Sequence, residues 1–196
     1  MAGVDLRLKR QGNISAPPRC SELSDAMLNF TYDDGSAETL YVDGEMYECS
    51  KLNDSIYLAN GRGAAFAIDT ALGAVTCVAM GGGSPIVTTG LFGDNTGTHV
   101  LTSDFDSNTI TWHFSAMSVM AKYADGGVVL TGDKELTASK LTAVSLGDGA
   151  YLQCAVVSGH DRPKTVVLLC DFTRNFCIGA VLGMEPQRFD GYATFE

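Results

Sequence analysis

Residues Leu141–Met184 read LTAVSLGDGAYLQCAVVSGHDRPKTVVLLCDFTRNFCIGAVLGM, three apolar runs separated by GDG, SGHDRP and DFTRN. Short apolar runs bounded by Gly, Pro, Asn and Asp are the pattern of β-strands joined by turns. An earlier stretch, Lys51–Met80, reads KLNDSIYLANGRGAAFAIDTALGAVTCVAM and repeats the plan. In both, a Leu stands five residues before a Tyr: Leu52 and Tyr57, Leu146 and Tyr151. An Asp-bearing turn lies between them, at Asp54 and Asp148. A further Asp, Asp69 or Asp171, closes the next apolar run before a third one begins. The echo predicts a duplicated β-unit. The fold expected from it is all-β, an antiparallel barrel of two similar halves.

Moving outward from that unit, residues 1–20 read as an extension broken at Ala16-Pro17-Pro18. Residues 21–196 read as one β-barrel domain, with halves near 21–85 and 86–196. Ser21–Met27 is expected to form a short N-terminal helix capped by Ser21 and plugging one barrel end. Leu28–Tyr32 alternates, which places Leu28, Phe30 and Tyr32 on one face. Asp43-Gly44 is a hairpin turn signal. Gly81–Pro85 is the sharpest break, and with residues 86–97 it reads as the link between halves. Thr109–Phe114 alternates again, with Ile110, Trp112 and Phe114 on one face. Residues 115–127 fit a strand or a helical turn. The C-terminal EPQRFDGYATFE reads as a tail packed on the outside. Turn signals recur about every 8–12 residues, the spacing of an all-β sandwich or barrel.

Composition narrows the function classes. Of the 196 residues, 45% are hydrophobic and 18% charged, which suits a packed globular domain rather than a disordered chain. A formal net charge of −10 repels phosphate backbones, so nucleic acid is not an expected partner. No apolar run approaches the ~20 residues that span a bilayer, so no membrane partner is expected. The first residues lack a signal-peptide core, which points to a cytoplasmic protein. Six cysteines occur without any CxxC pair and mostly within apolar runs. They read as small buried hydrophobes in a reducing compartment. The three histidines, His99, His113 and His160, are dispersed, and no phosphate-binding loop precedes a helix. Neither a metal site nor a cofactor is expected.

Two passages carry a family resemblance. Phe30-Thr31-Tyr32-Asp33-Asp34-Gly35 with Leu40-Tyr41-Val42 is similar to the opening hairpin of the phenolic acid decarboxylases. Thr109–Trp112 with Leu146–Leu152, Asp171 and Gly183 resembles the second half of the MoaF family. Both families are calycin or lipocalin-like barrels. The resemblance implies a cavity for a small aromatic, polyketide- or terpenoid-like molecule, and a homodimer. The decarboxylase pattern uses two first-strand tyrosines, an arginine and a buried glutamate. Tyr32 matches the second tyrosine, Phe30 replaces the first, and no acid follows Tyr57 or Tyr151 within six residues. Decarboxylation by that route is therefore not expected. The resemblance leaves a cofactor-independent isomerase, cyclase or dehydratase using acid/base groups. The alternative is a non-catalytic ligand carrier.

The candidate catalytic residues are Tyr32, His160, Arg62 and His99. Tyr32 is either a phenol donor in an apolar cavity or a core tyrosine. His160 sits beside Asp161 and Arg162, on a loop that the second unit has and the first lacks. Arg62 occupies the shorter counterpart of that loop and offers a cation for a carboxylate or enolate. His99 opens a strand at the start of the second half, within reach of a barrel mouth. The candidate ligand contacts are Phe30, Tyr41, Tyr47, Trp112, Phe114 and Tyr151. Trp112, the single tryptophan, is either a stacking wall or a packed core residue.

Overall fold

A computed structural model describes residues 20–42, 46–81, 84–114, 117–125, 127–132, 137–138, 141–158, 163–183 and 187–195. The extension at 1–19, the Asp43-Gly44 turn and the loop carrying His160 lie outside the described residues. The strands of the first sheet are β1 (Ala26–Tyr32), β2 (Ala37–Val42), β3 (Glu48–Lys51), β4 (Ile56–Asn60), β5 (Ala64–Asp69), β6 (Ala74–Ala79) and β7 (Ile86–Phe92). Those of the second are β8 (Val100–Leu101), β9 (Thr109–Phe114), β10 (Ser118–Ala124), β11 (Gly127–Thr131), β12 (Thr137–Ala138), β13 (Thr142–Gly147), β14 (Ala150–Ser158), β15 (Lys164–Asp171), β16 (Phe176–Leu182) and β17 (Gln187–Phe195). All pairings are antiparallel.

The duplication extends to the topology. The first sheet runs β2-β1-β7-β6-β5-β4-β3. The second runs β11-β10-β9-β17-β16-β15-β14-β13-β8, with β12 paired to β14. Without β8, β11 and β12, the second order is the first with each strand replaced by its counterpart. Register agrees: Ile56 pairs with Asp69 and Ala150 with Asp171, while Tyr57 pairs with Ile68 and Tyr151 with Cys170. The repeated Asp makes the repeated turn. Asp69 Oδ1 accepts from the N–H groups of Ala71 and Leu72, and Asp171 Oδ1 from those of Thr173 and Arg174. Each turn then ends on a positive φ, at Gly73 (64°) and Asn175 (49°), residue types that accept it at low cost.

Each sheet curls. In the first, Leu40 and Val42 of edge strand β2 share one apolar cluster with Cys49 of the opposite edge, β3. Residues 20–25 bridge those edges, since Cys20 N–H donates to Cys49 O and Asp25 N–H to Val42 O. In the second, β12 carries the chain from β11 back to β14. Close backbone approach helps this curl. A side chain at Gly90 would strike the Thr31 carbonyl, and one at its counterpart Gly191 the His113 carbonyl. The fold is thus two curled antiparallel half-barrel sheets, consistent with the calycin or lipocalin-like barrel of two similar halves read from the sequence.

Three apolar clusters follow from strand alternation. Phe30, Tyr57, Phe66 and Val75 face the first concavity, and Ile110, Trp112, Tyr123 and Cys170 face the second. The opposite faces supply the third cluster: Leu58, Ala67 and Val78 from one sheet meet Val144, Leu152, Leu169 and Ile178 from the other. Strand β16 packs on β4 and β5 across this layer. Each half therefore encloses its own concave face, and the two halves adhere through their outer faces.

Three expectations are corrected. No helix occurs among the described residues. Ser21–Asp25 forms successive turns, with Ser24 N–H bonded to Ser21 O and Ala26 N–H to Leu23 O. Asp25 takes φ of 60°, which stops helix propagation, and β1 begins at once. The C-terminal segment is no outside tail, because β17 lies between β9 and β16 in the middle of the second sheet. Its Phe189-Asp190-Gly191-Tyr192-Ala193 buries alternate residues poorly, so its sequence hides a central strand. Of the two alternatives open for 115–127, residues 118–124 take the strand. The first sheet also extends through β7 to Phe92, beyond the Gly81–Pro85 break.

Candidate functional site

The second concavity holds the site. On β9, alternation turns Trp112 and Phe114 inward, and on β10 it does the same for Val119, Ala121 and Tyr123, which are buried while their neighbours are exposed. Gln153 and Ala155 on β14, Leu168 on β15 and Phe189 on β17 complete the wall, with Leu141 just before β13 and Val128 and Leu130 on β11. They surround a cavity of about 390 Å³. That lies within the ~300–1,000 Å³ typical of small-molecule sites. No Asp, Glu, His, Lys or Arg lines it among the described residues.

One polar chain crosses this apolar wall. Trp112 Nε1 donates to Tyr123 Oη at 3.1 Å, and Tyr123 Oη donates to Gln153 Oε1 at 2.8 Å. The order of the chain is dictated by proton count. Tyr123 already accepts the indole N–H, so its own proton needs an acceptor, and only the amide oxygen serves. Gln153 is thereby held with its NH₂ turned away from Tyr123. Gln153 is 4% exposed, and its Nε2 has no hydrogen-bond partner among the described residues. An unpaired buried N–H costs about 1–3 kcal/mol. Burial drives the Tyr123 phenol far above its ordinary pKa, so it is a neutral donor.

A further hollow of about 300 Å³ lies along the same strands toward Ile110 and Tyr151. Phe105 contacts Tyr123, Tyr151 and Phe172 with ring centroids 5.2–5.8 Å apart, and these rings fill the barrel between the two spaces.

In the first concavity aromatic side chains pack on one another. Phe66 meets Phe30 at 6.0 Å and Tyr47 at 5.5 Å between centroids. Tyr32 lies beside Phe30 and donates to Glu38 Oε2 at 2.5 Å. Burial first, then this carboxylate, push the Tyr32 phenol well above its ordinary range. Cys77 shares the same corner, and burial raises its thiol too.

The residues singled out in sequence are thus dispersed. Trp112 and Phe114 line the second cavity. Phe30, Tyr32 and Tyr47 belong to the first half, and Tyr41 is 53% exposed, opposite Met27 on the outer face. Tyr151 lies at the smaller hollow and donates to Asp104 Oδ2 at 3.2 Å. Arg62 is exposed in the β4–β5 turn. His99 is not at a barrel mouth. It is 5% exposed, its Nδ1 is 2.8 Å from Thr76 Oγ1, and its Nε2 has no partner among the described residues. Burial lowers its pKa to about 4 against the pull of Asp69. His113 is on the outer side, stacked on Tyr192 at 4.6 Å. Among the described residues no three His, Cys, Asp or Glu side chains gather as a metal site.

Gln153, Tyr123, Leu141 and Ala155 were not selected from sequence. One signal pointed to Gln153: it is the sole amide in the run Ala150–Val157, where the first copy has Ala59. Protein-family models yield no match to this chain, and a search of curated proteins returns no significant relative.

Proposed function

We propose that this protein binds a small, apolar, uncharged molecule in its second half-barrel, as a lipocalin-like binding protein. The observation that carries the reading is the orphaned Gln153 amide in a predominantly apolar cavity. Asn60 and His99 also bury groups without a partner among the described residues, but of the three Gln153 is the one on the cavity wall, where such a group can orient a ligand. Among the described residues no charged side chain lines the cavity, which favours a neutral molecule, because a charge buried without a partner is costly.

The test is titration with the neutral fluorophore N-phenyl-1-naphthylamine. Its emission is expected to rise as it enters the cavity, with Trp112 emission quenched in parallel. Ala155→Phe fills the space beside Gln153 and is expected to abolish both signals while far-UV circular dichroism stays native. Equal binding by native protein and Ala155→Phe would refute this site.

One observation favours a second reading, acid/base catalysis of an isomerisation, cyclisation or dehydration. The Tyr32–Glu38 hydrogen bond, with Cys77 adjacent, places a proton donor and a carboxylate together in the first half. That reading requires Tyr32→Phe and Glu38→Gln each to lower turnover of a substrate. The resemblance to MoaF-like barrels, cytoplasmic location and homodimer formation are further proposals that rest on the sequence. Light scattering giving a monomer mass would remove the dimer.

A further inference from the structure

The two halves share a topology and register, so each residue of the cavity has a counterpart in the first half. Cys49 pairs with Ala59, and Ala143 with Gln153. Tyr47 and Leu141, each two residues earlier, therefore occupy equivalent positions. By the same register Gly61 corresponds to Ala155, and Phe66 to Leu168.

In the first half the Tyr47 ring lies over Gly61, where any added Cβ would meet its Cε1 at 2.8 Å, and against Phe66 at 5.5 Å between centroids. A phenyl ring thus fills the first concavity at this level. In the second half Leu141 and Leu168 replace Tyr47 and Phe66, while Phe189 stands over Gly179 where the first half has Thr88 beside Cys77, so one aromatic ring fewer is present and an open cavity stands there. The counterpart of Ala59, next along the strand, is Gln153 with its free N–H.

We propose that the ligand of the second half-barrel is an uncharged aromatic carbonyl compound. Its ring takes the place that Tyr47 takes in the first half, over Ala155 and Leu168. Its carbonyl oxygen accepts from Gln153 Nε2. This rests on the reading of the cavity as a binding site and adds the chemistry of its occupant. The first half is a copy of the liganded state built from the chain's own residues, since a ring packed there satisfies the same backbone curvature.

Three probes of matched size test it on the full chain: 2-acetylnaphthalene, 2-isopropenylnaphthalene, which lacks the acceptor, and 2-acetyldecalin, which lacks the aromatic ring. Binding is read by Trp112 quenching and titration calorimetry. The aromatic ketone is expected to bind roughly tenfold more tightly than the hydrocarbon, the effect of satisfying one buried amide. Gln153→Leu is expected to erase that preference, and Leu141→Tyr to weaken the ketone at least about tenfold by supplying the ring in cis. Equal affinity for the three probes in the native protein overturns the proposal and leaves the binding cavity standing. Failure of all three to bind overturns both. If Leu141→Tyr does not fold, Leu141→Phe gives the shorter plug, and unchanged ketone binding by that variant also overturns the proposal.

Discussion

Tyr123→Phe removes one oxygen from the middle of the Trp112–Tyr123–Gln153 chain. The hydroxyl accepts at 3.1 Å and donates at 2.8 Å, and Tyr123 is 2% exposed. Its loss leaves the Trp112 N–H and Gln153 Oε1 both buried and unpaired, next to a Gln153 Nε2 that already lacks a partner. Each orphaned group costs about 1–3 kcal/mol, so the variant is expected to lose roughly 2–6 kcal/mol of stability. Gln153→Leu is the opposite perturbation. It leaves the Tyr123 O–H without its acceptor, but it also removes the orphaned amide and adds apolar burial of similar volume, which offset that cost. Its expected effect on the unliganded protein is within about 1 kcal/mol of zero, and stabilisation is permitted. Urea unfolding followed by far-UV circular dichroism measures both, with the slopes compared so that a change in the unfolded state is not mistaken for one in the native state. If Gln153→Leu proves the more damaging of the two, Gln153 Nε2 has a partner in the free protein and the anchor argument fails.

Four other expectations follow from named side chains. His99 has its folded pKa lowered to about 4 by burial, from 6.5. Its contribution is full above pH 6.5 and is lost as pH falls toward 4, by roughly 3 kcal/mol. His99→Leu should flatten that part of the stability–pH curve relative to the native protein, and an unchanged difference between the two curves would count against it. Among the six cysteines, Cys20 is half-buried and the others buried, and burial lifts the Cys49 and Cys154 thiols to about 12. A thiol reagent at pH 8 should label one cysteine rapidly in native protein and all six in denaturant. Asn53 Oδ1 accepts from the Ser55 and Ile56 N–H groups while Nδ2 donates to Asp171 across the halves. Asn53→Ala should cost about 1–3 kcal/mol. Arg174→Ala breaks an exposed pair with Asp54 and a longer one, at 3.8 Å, with the buried Asp171 carboxylate, which keeps its Asn53, Thr173 and backbone partners, so it should cost about 1 kcal/mol in the same melts.

The placement of candidate residues shows where sequence reading stops. Trp112 and Phe114 were legible because strict alternation puts them on one face. Tyr41 was misplaced because the hairpin around it offers no clear apolar alternation, and register decides which side it takes. His99 was expected at a barrel mouth because the layer between two sheets has no signature in one strand. Gln153 lies on a run apolar on both faces, as any strand buried on both sides must be. Such a run carries no mark of which side is a cavity.

Local chemistry therefore settled much in advance. The repeated Asp at a strand end makes the same turn twice, and the repeated spacing of Leu and Tyr makes the same strand pairing twice. These are short-range interactions, so the all-β class and the two similar halves were readable from the chain alone. Only tertiary structure decided that each half closes on its own face and that the halves meet back to back. It also decided that β17 is central, because its partners β9 and β16 lie far apart in sequence. The cavity itself is a difference between copies. It exists because Leu141 and Leu168 converge where Tyr47 and Phe66 converge in the other half, and only the packing of distant strands brings those substitutions to one place.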